Sequence, residues 1–408
     1  MTQHSSNLAE TSQQTVPALQ RLARDPARSG YQHTLQEICQ QPDTWVESSE
    51  CAVQNGDTLR HAVFGEGNPA RAVLLTGSGS SLFIGESLAP ALQRQLGIPV
   101  VSAGGDRLLI EGKHTLPPCP PSLIVSFARS GDSPESCGAV DLMLENAPEC
   151  RHLAVTCNRH GQLATRYRDR REVATLVLPD RTCDRSLVMT SSFTSMLLAA
   201  HFLGHLNDQE GYVALAGQLA STARRFLLEH TEALSRAATT EFRSAVYLGS
   251  ACRFGSARES ALKMLEMTAG HVRTFSETYL GLRHGPMSAV HDDTLVVCFL
   301  SSDPLARAYE ADVIEELNQK KLGAMRVVVG ENIPPDLMRP GDLALECPGL
   351  SAVGDDASPV IDVLAGQWLG FFRCLQEGLN PDAPSNSGAI SRVVGSFRIH
   401  HRGPRGIS

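Results

Sequence analysis

Three ionisable residues, Glu259, Lys263 and Glu266, recur at spacings of four and three. On a helix those spacings share one face. A carboxylate held there could serve as a general acid or base. The same pattern also describes a solvated ion ladder, and an isolated helix does not choose between them. Further on, His284 stands between Arg283 and a Gly285-Pro286 turn. An imidazole with an ordinary pKa of about 6.5 can carry protons near neutrality, although a loop histidine is often plain surface. Upstream, two turns combine glycine with hydroxyls: Gly77-Ser78-Gly79-Ser80-Ser81, and Ala128-Arg129-Ser130-Gly131-Asp132-Ser133-Pro134-Glu135. Small residues let backbone approach a ligand closely, and the free N–H groups of a helix start favour phosphate. Ser and Asp would serve equally as ordinary helix caps there. Neither turn contains Gly-Lys-Ser/Thr, and neither fits a dinucleotide fingerprint with its ribose acid, so NAD is not expected.

The elements around these residues read as βα units. Short apolar runs lie at 72–76, 99–103, 123–127, 153–156 and 174–178, and again at 245–248, 271–275, 295–299, 325–329 and 343–346. Helical patterns alternate with them, which predicts parallel sheets. The two sets share a register of 172 residues, pairing Gly77 with Gly249, Val100 with Val272, Phe127 with Phe299 and Val155 with Val327. Only the fifth strand slips. This predicts an α/β fold of two tandem domains, each a parallel sheet of about five strands flanked by helices. One large doubly wound domain is the alternative. Both glycine-hydroxyl turns fall at carboxyl ends of strands, where open α/β sheets bind ligands. The Glu259 helix is expected over about 256–269, with Leu262, Leu265 and Ala269 as its apolar stripe. The expected organisation is an arm at 1–50, partly disordered and then helical, domains at 51–210 and 211–380, and a loop-rich tail at 381–408. The joint is expected near 205–218.

Composition narrows the function class. A chain of 408 residues suits about two to three domains, and 42% apolar with 20% charged residues is a globular balance. A net charge of −8 argues against a nucleic-acid binder. Eleven scattered cysteines form no zinc or disulfide pattern, so reduced thiols and no metal are expected. No apolar signal segment appears in the first 30 residues, and the most apolar run, 189–203, is too polar to span a bilayer. A soluble cytoplasmic protein with no membrane partner is expected.

Taken in order, TGSGSS, SFARSGDS, ALKMLE and LRHGP resemble the sugar isomerase (SIS) domain family. The isomerase half of glucosamine-6-phosphate synthase has the same succession of turns, helix and HGP loop. Closer still, GYQHTLQEICQQPDTW, IGESLAP, ARSGDSPES, MTSSFTSMLLA, LKMLEMTAG, and GLRHGPMS with FLSSDP look like the galactosamine-6-phosphate deaminase/isomerase family. An older name for that family is tagatose-6-phosphate ketose/aldose isomerase. The resemblance covers about residues 50–390.

The resemblance implies roles residue by residue. Gly79, Ser80 and Ser81 would hold a phosphorylated amino sugar, and Arg129, Ser130 and Ser133 its 6-phosphate. Glu266 would move the proton between C2 and C1. His284 would open the ring, from a neighbouring subunit as in the synthase, so a dimer or larger homo-oligomer is implied. No organic cofactor is needed. The chain lacks a glutaminase half, which favours deamination or plain isomerisation over glutamine-driven synthesis. The synthase also uses a tail lysine. Here the last lysine is Lys321, and the segment NPDAPSNSGAISRVV offers only Arg392 as a cation. A hexose-phosphate isomerase that releases no ammonia, and a phosphosugar sensor without turnover, stand as the alternatives.

Overall fold

The structure, a computed structural model, describes residues 8–400 apart from Asn386 and Ser396. Strands β1 (Ala72–Gly77), β2 (Val100–Gly104), β3 (Ser122–Ala128), β4 (Arg151–Thr156) and β5 (Val173–Val177) form one parallel sheet, ordered β2-β1-β3-β4-β5. Strands β6 (Ser244–Leu248), β7 (Arg273–Glu277), β8 (Thr294–Phe299), β9 (Met325–Gly330) and β10 (Leu343–Glu346) form a second, in the order β7-β6-β8-β9-β10. The two topologies are the same. The central strands β1, β3 and β8 are buried along their whole length. Parallel strands covered by helices on both faces require such near-continuous apolar runs.

The repeat is real, and its register differs from the sequence reading at two strands. Strands β1 and β3 pair as Ala72 with Ser122, and their counterparts 172 residues on, Ser244 and Thr294, pair likewise. Val73, however, faces Val100, whereas its counterpart Ala245 faces Thr274. Phe127 faces Val155, and Phe299 faces Val329. Val100 and Val155 therefore correspond to Thr274 and Val329, each two residues beyond the expected partner. At the first of these, the turn between the Cys252–Met267 helix and β7 contains Ala269 and Gly270, both at positive φ.

Within the expected arm, residues 8–15 and 17–24 are helices, and 1–7 lie outside the described residues. The expected joint is mostly the Gln209–Glu229 helix, capped by Asp208, so a boundary at 210 falls in its first turn. Tyr212, Ala216, Leu219, Ala223 and Phe226 give that helix a buried stripe at helical spacing. One hydrophobic cluster runs through Trp45 of the arm, Val73 of the first sheet, Val297 of the second and Trp368 of the last long helix. The halves thus share a core. The cysteines are unpaired, and among the described residues no helix is long and apolar enough to cross a membrane.

Candidate active site

The two helices that follow β1 and β6, Ser80–Leu96 and Cys252–Met267, pack against one another at the centre of the molecule. Each begins with the same backbone turn. Gly79 has φ +56° and ψ −126°, and its counterpart Ala251 has φ +48° and ψ −121°. Glycine enters that region without a Cβ clash, whereas alanine is strained there. Glu86 of one helix and Arg258 of the other, also counterparts, form an ion pair across this contact.

Centrality changes the Glu259 face. Glu259 and Lys263 are fully buried, while Leu265, expected in the apolar stripe, is exposed. The charged face is turned inward because the Ser80 turn and the Pro359–Gln376 helix pack around it. Lys263 Nζ donates to Glu266 Oε2 at 2.5 Å and to Ser80 Oγ at 3.1 Å, and lies 3.3 Å from Glu259 Oε1. Burial alone would lower the lysine pKa, but the charges of Glu259 and Glu266 outweigh it and raise it. Burial pushes Glu259 up to about 7 against the pull of Lys263. The three residues are a buried triad, not a solvated ladder.

Glu266 opens on a cavity of about 210 Å³. Gly79, Ser80 and Ser81 form one wall, and Arg129, Ser130 and Ser133 another. Two turns far apart in sequence and the carboxylate thus meet in one place. The 130–133 turn is braced from behind: Ser130 O accepts from Asn158 Nδ2 at 2.8 Å, and Gly131 O accepts from Leu163 N at 2.9 Å. The guanidinium of Arg129 is committed elsewhere. It donates to the carbonyls of Ser186, Leu187 and Val188 at 3.0–3.3 Å and to Arg392 O at 2.5 Å. Burial lowers its pKa, and the charge of Arg392 adds to this. Arg129 therefore shapes the cavity by fastening the 186–188 loop and the tail.

The tail covers the cavity: Ile390, Ser391, Arg392 and Val394 line it. Arg392 Nε and Nη2 donate to Asp184 O at 2.8 and 2.5 Å. Leu187 and Met189 supply apolar lining, and Glu135 faces the cavity from the first turn of the Pro134–Asn146 helix. The sequence reading missed Glu135, which reads there only as an acid at a helix start. His284 is not among the lining residues. It is exposed on the loop after Leu282, with its backbone N–H bonded to Gly281 O at 2.9 Å.

The second half has an equivalent turn, and the chain fills it. Ser301 and Ser302 correspond to Arg129 and Ser130. Ser301 N donates to Glu310 Oε2 at 2.7 Å, and Ser302 N and Oγ donate to Asp355 Oδ1 at 2.8 and 2.9 Å. Burial works against the Asp355 carboxylate, but Arg253 and the serine donors outweigh it and hold it below the ordinary carboxylate value. Internal carboxylates thus fill the second-half turn, whereas the first-half turn is open to the cavity.

A buried acid supports the cavity's loop. Glu37 accepts from Arg185 N at 2.5 Å and Ser186 N at 3.2 Å. Burial pushes its pKa from 4.5 up to about 8, and the charge of Asp184 adds to this. Because the folded value is raised, its contribution to stability is complete below pH 4.5 and is lost as pH rises through about 8. The melting midpoint should therefore fall more steeply over that window in the native protein than in Glu37→Gln. Parallel thermal-unfolding curves across the pH series would refute this. Among the described residues no cluster of His, Cys, Asp and Glu could hold a metal ion.

Paired parallel sheets of one topology, with hydroxyl turns and a carboxylate helix converging on one cavity, define a phosphosugar isomerase fold of the SIS type. A tagatose-6-phosphate ketose/aldose isomerase from Escherichia coli superimposes with a TM-score of 0.82 at 30% identity, covering 90% of this chain and 96% of that one. The C-terminal domain of glucosamine-fructose-6-phosphate aminotransferase from Francisella tularensis shares the fold at a TM-score of 0.69 and 15% identity, covering 86% of this chain and 98% of that one. D-galactosamine-6-phosphate deaminase AgaS of Escherichia coli is 35% identical over 374 residues, 90% of this chain and 95% of that protein. The corresponding deaminase of Shewanella sp. (strain ANA-3) is 32% identical over 370 residues, 90% of this chain and 91% of that protein. The chain belongs to the AgaS family of D-galactosamine-6-phosphate deaminases. No family model matches it.

Proposed function

We propose that the protein converts galactosamine 6-phosphate and water to tagatose 6-phosphate and ammonium. The observation that supports this most is the opening of Glu266 and both serine turns on a single cavity. The 6-phosphate would lie at the 130–133 turn, where backbone N–H groups, hydroxyls and the helix start favour an anion. With the phosphate fixed, C1 and C2 of the open-chain sugar would face Glu266. The carboxylate removes the C2 proton, and the electron pair moves to form an enolamine with the C1 oxygen protonated. Protonation at C1 then gives the ketose imine at C2. Water adds at C2, and ammonia leaves with a proton as ammonium. Lys263, bonded to Glu266, holds the carboxylate in place.

Ring opening needs a proton carrier at O1 and O5. We assign it to His284 of a second copy of the chain, which makes a homodimer the smallest active unit. No resident cofactor enters these steps.

The test is an ammonia assay on galactosamine 6-phosphate and glucosamine 6-phosphate, with the ketose product identified. Ammonia with tagatose 6-phosphate is expected. Interconversion of hexose phosphates with no ammonia from either amino sugar would replace deamination by plain isomerisation. Binding of sugar phosphate with no turnover would instead favour a sensor. Ser130→Ala removes one donor to a charged phosphate, worth about 1.5–3 kcal/mol. It should raise KM by roughly 10- to 100-fold and leave kcat near native. An unchanged KM would remove the phosphate from that turn.

A further inference from the structure

The tail that covers the cavity is held by hydrogen bonds more than by packing. Beyond the Pro359–Gln376 helix the described residues form no further helix or strand. Ile390 and Val394 line the cavity, yet they stay 40% and 52% exposed. Burial of apolar surface therefore contributes little to seating them. What fastens the segment is a reciprocal pair of arginines. Arg129 Nη2 donates to Arg392 O. Arg392 Nε and Nη2 donate to Asp184 O, just ahead of the 186–188 carbonyls that Arg129 also holds.

Neither guanidinium is bonded to a carboxylate. Among the described residues their acceptors are carbonyls and, for Arg392, the Cys183 sulfur at 3.4 Å. The Asp184 carboxylate is engaged instead with the N–H groups and hydroxyls of Thr190, Ser191 and Ser192. Burial lowers the Arg129 pKa; of the nearby charges, Asp184 and Glu266 oppose this and Arg392 adds to it. The two arginines thus repel one another beside the cavity, and an anion next to both would offset that repulsion. Ser130 and Ser133, which line the same cavity as Arg129 and Arg392, mark where such an anion is proposed to lie. We propose that Arg129 and Arg392 form a latch that couples phosphate at the 130–133 turn to seating of the tail over the cavity. Arg129 is then a positioning residue and not a phosphate ligand. The inference rests on the phosphate placement proposed above. Coupling is reciprocal: the tail tightens phosphate binding by the same factor by which phosphate tightens the tail.

The experiment uses the full chain and unreactive ligands, so that binding is read apart from turnover. Amide hydrogen exchange over residues 388–394 is followed with inorganic phosphate, with 2-amino-2-deoxygalactitol 6-phosphate, and with the same alditol lacking phosphate. Dissociation constants are measured by calorimetry. At saturation the two phosphates should slow exchange in the native tail by roughly 10-fold, within the usual range of coupling between sites. The unphosphorylated alditol should leave it unchanged. Arg392→Ala, a change in the tail itself, should abolish the slowing and weaken both phosphates by the same factor. Arg392→Lys should recover part of each effect. Arg129→Lys added to Arg392→Ala should weaken binding no further, because the latch is already open. Binding of the phosphates with no slowing in the native tail would overturn the proposal. So would an Arg392→Ala protein in which binding is weaker but the slowing persists, because Arg392 would then be a direct ligand. If the tail responds to phosphate and no ammonia is released from the amino sugar, the latch stands and the deaminase reading falls. If ammonia is released and the tail does not respond, the reverse follows.

Discussion

Glu266→Gln is expected to stop exchange of the C2 hydrogen with solvent deuterium and to lower kcat by at least about 10²–10⁴-fold, the range for a positioned acid–base group. Substrate affinity should stay near native, because the amide keeps the side chain's shape and the 130–133 turn, where the phosphate is proposed to lie, is untouched. Glu259 shares the helical face and the lysine, yet it is fully buried and does not line the cavity. Glu266 alone of the pair opens on the cavity, with about a quarter of its side chain (23%) accessible. Glu259→Gln should therefore act mainly on stability, by leaving Lys263 with one counter-charge where it now has two. Isotope exchange is read by mass spectrometry of recovered sugar phosphate after single-turnover incubation. Persistence of exchange in Glu266→Gln at the native rate would move the base elsewhere, and Glu135 is then the remaining cavity carboxylate.

Much of this arrangement could be read from residue order. The turn after β1, the turn after β3 and the Glu266 helix were each visible as strand, small-residue turn and helix. The doubled topology placed all of them at strand ends. What periodicity could not show was the packing of the Glu259 helix. Leu262, Leu265 and Ala269 look like a core stripe only if the helix has one solvent face. It has neighbours on several sides instead, so the charged face is enclosed and Leu265 is left outside. The identity of Arg129 was legible, but its partners were not. Its guanidinium reaches carbonyls 57 to 263 residues away along the chain, and no local pattern encodes such contacts. Strand register failed for a related reason. A fixed offset assumes equal turn lengths, and the turn before β7 is longer than the one before β2. His284 is exposed on its loop, outside the cavity lining, as a loop residue of that pattern should be.

Asp362→Ala should bring the largest loss of stability of any single change considered. Asp362 and Arg253 are both fully buried. Arg253 Nε donates to Asp362 Oδ2 at 2.8 Å, a second bond joins Nη2 to Oδ1, and Ser256 Oγ donates to Oδ2 at 3.1 Å. Burial raises the Asp362 pKa even though the arginine charge opposes it. Removing one partner leaves a buried charge, which costs about 3–5 kcal/mol. Here Asp355, 3.6 Å from the guanidinium, offers only partial replacement. The pair joins the start of the Glu266 helix to the last long helix, so its loss should also loosen the cavity wall that carries Glu266. Replacing both partners by apolar residues removes the uncompensated charge, and such exchanges are often neutral or stabilising. Arg253→Met with Asp362→Leu should therefore recover a large part of what Asp362→Ala loses, as read from chemical-denaturation midpoints. If the double variant is no more stable than Asp362→Ala, the cost lies in lost packing and bonding geometry, and the buried-charge explanation is wrong.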